Sequence, residues 1–175
     1  MTGHGRPLPP LHLQLAGPSV RPNGRPSYAF VSDELAIGEY PTPEDAAWLR
    51  TTHDFGAVVS LQDELDLHRK GLDLRALTDA YAAQRVTFTH HPVADGDPIA
   101  MRRILDAAVA SVHAQCRAGR RVYLHCNAGV NRAPTVAIAY LHVHGGLSLE
   151  AARTRVKAAR ACVPYWRVLV AHYGG

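Results

Sequence analysis

The chain has 175 residues, 47% of them apolar, enough for one domain to bury a core without disulfides or a structural metal. A formal charge of +4, carried by Arg far more than by Lys, suits an anionic partner, but no basic run interleaved with aromatics points to nucleic acid. No apolar run reaches the ~18 residues of a membrane span and the N-terminus lacks the apolar core of a secretory signal, so a cytoplasmic protein is expected.

Residues 1–26 are dense in Pro and Gly without sustained periodicity, and are expected to form a flexible or extended arm before a single domain over 27–175. From Tyr28, YAFVSDELAIG has two short apolar runs broken by Ser-Asp, which predicts a hairpin. Thr42 then caps a helix that Pro43 opens, Glu44 and Asp45 favour its N-terminal dipole, and it should end near His53. AVVSLQ, residues 57–62, reads as a buried strand, followed by a helix over Leu72 to Gln84. VTFTHHPV, residues 86–93, is a further strand, and Pro98 opens a long amphipathic helix through about Arg117, with Gly119 beyond it.

RVYLHC, residues 121–126, is the third buried strand after the hairpin. Past the loop AGVNR, Pro134 is expected to start a helix that Gly145 and Gly146 stop. Ser148 caps the next, SLEAARTRVKAAR, and a last helix spans Pro164 to about His172. Strands alternating with helices of these lengths predict an α/β fold with a central, mostly parallel sheet flanked by helices on both faces.

The chemistry concentrates in HCNAGVNRAP. A Cys and an Arg with five residues between them are weak evidence by themselves in so Arg-rich a chain, so the setting decides. Cys126 ends a buried strand, Gly129 lies within the loop, and Arg132 and Pro134 lead into a helix. The loop therefore sits at the carboxyl end of a strand in an open sheet, where ligands bind in such folds. Loop N–H groups and a helix N-terminus converging there make an anion cradle. The same field and the Arg132 guanidinium favour a thiolate at Cys126. Arg132 has the planar fork that grips phosphate oxygens in pairs. His125 should brace the loop through a backbone hydrogen bond, and no metal ligation or cofactor is expected.

A phosphocysteine route needs an acid for the leaving oxygen and then a base for water. VADGDP supplies Asp95, directly after a strand, and Asp97, which precedes Pro98 and is better explained as a helix cap. Asp95 is the expected acid, with Gly96 allowing its loop to move. Cys116 and Cys162 have Val at the sixth following position and read as packing residues. Three widely spaced cysteines make a poor disulfide framework and suit a reducing compartment.

On these residues the chain resembles the dual-specificity group of the protein tyrosine phosphatase superfamily. With SLQDELDLHRKGLDL and KAARACVPY, it looks most like laforin and the plant starch phosphatases. The resemblance implies that fold, Cys126 as nucleophile, Arg132 as phosphate grip, Asp95 as acid, and the amides of Asn127, Ala128, Gly129, Val130, Asn131 and Arg132 as phosphate binders. Ala133 stands where the group usually carries Ser or Thr, so thiolate release would rely on loop dipoles. Asn131 stands where glucan phosphatases have Gly, and is expected to close the loop by tolerating left-handed angles.

The expected activity is a metal-independent phosphomonoesterase on phosphorylated Tyr, Ser or Thr of proteins. The alternatives are a glucan phosphatase, a phosphate-binding pseudophosphatase, and a rhodanese-type sulfur transferase. Oligomeric state is not legible.

Overall fold

The computed structural model describes residue 21 and residues 24–174. Most of the expected arm, residues 1–20 with 22 and 23, lies outside the described residues. Arg21 and Arg25, at its end, reach the fold: both pair with the buried Asp45 carboxylate, at 3.0 and 2.9 Å.

In chain order the elements are β1 (Tyr28–Phe30), β2 (Leu35–Gly38), α1 (Ala46–His53), β3 (Phe55–Ser60), α2 (Glu64–Arg69), α3 (Leu74–Ala83) and β4 (Thr87–His90). There follow α4 (Pro98–Arg117), β5 (Arg121–His125), α5 (Arg132–Val143), α6 (Leu149–Ala159) and α7 (Trp166–Tyr173). The five strands form one sheet in the order β1-β2-β5-β3-β4. Strand β1 runs antiparallel, as the hairpin partner of β2; β2 with β5, β5 with β3 and β3 with β4 are parallel.

Both faces of the sheet are covered, and the two-residue period of a strand deals its side chains alternately to two cores. Leu35, Ile37, Ala57, Val59, Val122 and Leu124 point to the face packed by α4, α5, α6 and α7. Ala36, Val58 and Tyr123 point to the other, where Tyr28, Leu49, Phe55, Leu77 and Tyr81 close the second core.

Several expected boundaries move. The helix expected over Leu72 to Gln84 is α3, two residues later at its start because Asp73 accepts from Ala76 N and caps it. DELDLHR, assigned no element in advance, folds as the short α2, capped by Asp63 through Asp66 N. The residues capped by Thr42 form a 3-10 turn, Pro43–Asp45, before α1, and its capping box is closed by Asp45. Helix α5 starts at Arg132 rather than Pro134, since a proline at the third position loses an N–H that has no intrahelical partner anyway.

Candidate active site

The parallel strands β3, β4 and β5 end side by side at Ser60, His90 and His125, so the segments that follow meet at one edge of the sheet. Backbone bonds lock these exits together: Leu61 N donates to His125 O at 2.9 Å and His91 N to Ser60 O at 2.9 Å. Cys126, the first residue past β5, is only 2% exposed.

The loop after it has a consistent polarity. Cys126 O accepts from His125 Nδ1 at 3.0 Å and Asn127 O from Tyr40 N at 3.0 Å. Arg160 takes the next two, Nη2 to Ala128 O at 2.8 Å and Nε to Gly129 O at 3.1 Å. Val163 N donates to Val130 O at 2.8 Å, and Thr135 Oγ1 to Asn131 O at 2.7 Å. Every carbonyl from Cys126 to Asn131 thus has a donor. No N–H from Asn127 to Asn131 has a partner among the described residues. A trans peptide points its C=O and N–H in opposite directions, so carbonyls held outward leave the amides facing a common centre, the arrangement of an anion nest. The turn depends on Gly129, at φ +67°, where a Cβ would come within 2.7 Å of the Gly38 carbonyl.

Arg132, 1% exposed, has its guanidinium divided between two tasks. Nη1 donates to Asp66 Oδ2 at 2.5 Å, to Val93 O at 2.9 Å and to Leu61 O at 3.4 Å. Nε has no hydrogen-bond partner among the described residues and has Asp95 Oδ1 at 3.4 Å. One edge is fixed to the protein and the other remains for a ligand. Burial alone would lower the Arg132 pKa, but the neighbouring Cys126, Asp66 and Asp95 outweigh it and hold the pKa above its ordinary value. Burial likewise works against ionised Asp66, yet its bonds from Arg132, Asp63 N and Asn127 pull its pKa below the usual carboxylate range.

Asp66 also accepts from Asn127 Nδ2 at 2.5 Å, and Asn127 Oδ1 accepts from Gln62 Nε2 at 2.7 Å. His90 Nε2 in turn contacts Gln62 O at 2.6 Å. Side chains from the ends of β3, β4 and β5 are thereby tied into one network beneath the loop.

The two candidate acids separate clearly. Asp97 Oδ1 accepts from Ile99 N and Ala100 N, both at 2.9 Å, and caps α4. Asp95 caps nothing, is half exposed, and leans on the Nε edge of Arg132. Gly96 N donates to Tyr165 Oη at 2.7 Å, which fastens this loop to the segment before α7.

His125 is fully enclosed, and burial pushes its pKa down to about 4, against a smaller upward pull from its bond to Cys126 O. It is neutral at pH 7, so Nδ1 carries the proton it gives that carbonyl. Asn131 does not take the expected left-handed angles: at φ −116° and ψ −70° it is right-handed, and the positive φ of the loop falls on Gly129. Asn131 instead donates from Nδ2 to Val163 O at 2.7 Å, stitching the loop to the chain after α6. Ala133 is wholly buried, and the nearest hydroxyl along the helix, Thr135 Oγ1, is used by Asn131 O and Tyr165 N.

Asp66, Gln62, Arg160 and Tyr165 were not singled out from sequence. The available signal was weak: Asp66 and Arg160 fall inside SLQDELDLHRKGLDL and KAARACVPY, the stretches that carried the resemblance, but without an assigned role.

Comparison with known proteins gives a consistent result. The family model described as the dual specificity phosphatase catalytic domain matches residues 37–173. An amyloplastic phosphoglucan phosphatase of Castanea sativa is 30% identical over 141 residues, covering 79% of this chain and 37% of its own length. Laforin of Mus musculus is 24% identical over 147 residues, covering 78% of this chain and 44% of its own. The crystal structure of Tk-PTP in the active form superposes with a TM-score of 0.71 at 25% identity, covering 85% of this chain and 97% of that one. The chain spans less than half the length of the curated relatives it matches.

Proposed function

Because the chain belongs to the dual specificity phosphatase family, we propose that it hydrolyses phosphomonoesters through a phosphocysteine on Cys126. The observation that carries this reading is the loop polarity: carbonyls from Cys126 to Asn131 each hold a donor, and amides from Asn127 to Asn131 have no partner among the described residues. A phosphate dianion seated there meets those N–H groups and the Nε edge of Arg132, which matches the equatorial oxygens as charge spreads onto them during transfer.

In the first step the Cys126 sulfur attacks phosphorus, the ester P–O bond breaks, and Asp95 gives its proton to the departing oxygen. In the second, the Asp95 carboxylate takes a proton from water, the oxygen attacks phosphorus, and the P–S bond breaks to release inorganic phosphate and the thiolate. Asp66 and Asn127 hold Arg132 for both steps, and neutral His125 anchors the nucleophile's own carbonyl.

Phosphorylated Tyr, Ser and Thr of proteins are the proposed substrates. Phosphorylated glucan is a second reading, favoured by relatives named phosphoglucan phosphatase. The test is release of phosphate from para-nitrophenyl phosphate, phosphopeptides and solubilised phosphoglucan, with Cys126→Ser alongside. Activity lost in Cys126→Ser supports the phosphocysteine route, and activity that survives it overturns the route. The preferred macromolecule is the one with the higher kcat/KM.

A further inference from the structure

Arg160 lies at the end of α6 in extended conformation, φ −147° and ψ 136°, and is 4% exposed. Among the described residues its guanidinium is the sole donor to two consecutive loop carbonyls, Ala128 O and Gly129 O, and it is steadied by a 3.0 Å bond to Ser27 Oγ. Ser27 is itself fixed, since its N–H donates to the buried Glu39 carboxylate at 2.7 Å and its carbonyl accepts from Glu39 N at 2.9 Å.

A peptide plane transmits this outward pull to the inside of the loop. The plane of Ala128 O carries the N–H of Gly129, and the plane of Gly129 O carries the N–H of Val130. Fixing both carbonyls to Arg160 therefore aims two successive amides at the centre of the nest. The plane between Ala128 and Gly129 is the one free to rotate, because Gly129 readily accepts either sign of φ.

The charge has a second consequence. Among the described residues the three hydrogen-bond acceptors of Arg160 are neutral oxygens and it forms no ion pair. Its direct partners are dipoles and the buried Glu39 carboxylate reaches it only through Ser27, so an anion on the other side of the same peptide planes adds countercharge.

We propose that Arg160 is a positioning residue for the phosphatase reaction: it orients the Gly129 and Val130 amides and adds positive potential behind the loop. It strengthens phosphate binding and thiolate formation without touching either group. This inference rests on the phosphatase reading of the Cys126 loop. It extends that reading by assigning a function to a side chain outside the loop.

The experiment compares Arg160→Gln and Arg160→Lys with the unaltered chain. Inorganic phosphate binding is followed by calorimetry, and kcat/KM on para-nitrophenyl phosphate is followed as a function of pH. Arg160→Gln should weaken phosphate about tenfold or more, the size of losing hydrogen-bonded charge assistance, and move the acid limb of the profile to higher pH. Arg160→Lys keeps the charge but cannot fork two carbonyls, so its values should fall between. If Arg160→Gln does not fold, Arg160→Lys decides. A folded variant with wild-type phosphate affinity and an unmoved acid limb overturns the proposal and leaves Arg160 a structural brace. Phosphate binding that depends on Arg160 in a chain without turnover would instead overturn the phosphatase reading and leave the positioning role standing.

Discussion

Asp66 Oδ2 lies 2.5 Å from Nη1 of Arg132, with the two side chains only 6% and 1% exposed. Such a pair is not in itself a source of stability, because desolvation offsets the attraction, but removing one partner strands the other charge. Asp66→Ala should therefore cost about 3–5 kcal/mol in urea unfolding. It should also cost more in kcat/KM than any change at exposed Asp73, because Arg132 loses its rotational anchor. Asp66→Ala and Asn127→Ala should be non-additive, since both act on one carboxylate network. Additive losses would mean that Asn127 works apart from Asp66.

The two aspartates of the VADGDP loop give opposite signatures. Asp95→Asn should lower kcat on alkyl phosphates by about 10²–10⁴, the usual worth of general acid-base catalysis, and lower it much less on para-nitrophenyl phosphate, whose leaving group needs little protonation. Asp97→Ala should cost about 1 kcal/mol of stability through the lost α4 cap, and Asp97→Asn almost nothing, with the leaving-group dependence unchanged in both. Reversed leaving-group effects would transfer the acid role to Asp97.

The difference between these neighbours was legible because a cap is a local device: Asp97, Pro98 and the apolar period of α4 lie in one stretch of sequence. The same held for Ser148, for Gly119 beyond α4, and for the β-branched strands whose alternation two-sided burial explains. Asp66 was hidden for the opposite reason. Its helix has six residues, too few to show a period, and its partner Arg132 is 66 residues away. Arg160 reaches carbonyls, which leave no trace in a sequence, and the helix expected over SLEAARTRVKAAR gave it no role, whereas it stands in extended conformation just past the helix end. At Asn131 residue preference pointed to left-handed angles, but the adjacent Gly129 takes them at lower cost and frees Asn131 to bond Val163 O.

Two enclosed histidines should shape the acid limb of stability. Burial holds both His53 and His125 at a pKa of about 4, against about 6.5 in an unfolded chain. Between those values the unfolded state binds more protons than the folded one, so stability rises with pH across this window and is lost as pH falls through it. Each histidine contributes a slope of about 1.4 kcal/mol per pH unit at most. Urea midpoints measured from pH 7 to pH 4.5 should decline. His125→Asn should flatten the decline by about half of this histidine share, even though its absolute stability is lower. An unchanged slope would mean that His125 does not resist protonation in the folded protein.

Gly129 sets the sharpest limit on the loop. At φ +67° a side chain costs roughly 1–2 kcal/mol, and here the added Cβ would also press within 2.7 Å of Gly38 C and O. Gly38 cannot retreat, because a shift brings its own Cα toward Tyr123 Oη, Ser27 O and Tyr28 Cβ, all within 2.6 Å of where its Cβ would stand. The strain in Gly129→Ala must therefore be relieved by the loop. The plane between Ala128 and Gly129 is the softest part, and rotating it takes Ala128 O off Arg160 and turns the Gly129 amide away from the cradle. Gly129→Ala is thus expected to remain folded, because the sheet and both cores are untouched, while phosphate binding and kcat fall together by about 10²-fold, comparable to losing one oxyanion-hole donor. Calorimetric phosphate titration beside the thermal transition checks this. Wild-type phosphate affinity in a folded Gly129→Ala chain would show that the loop closes without its left-handed turn.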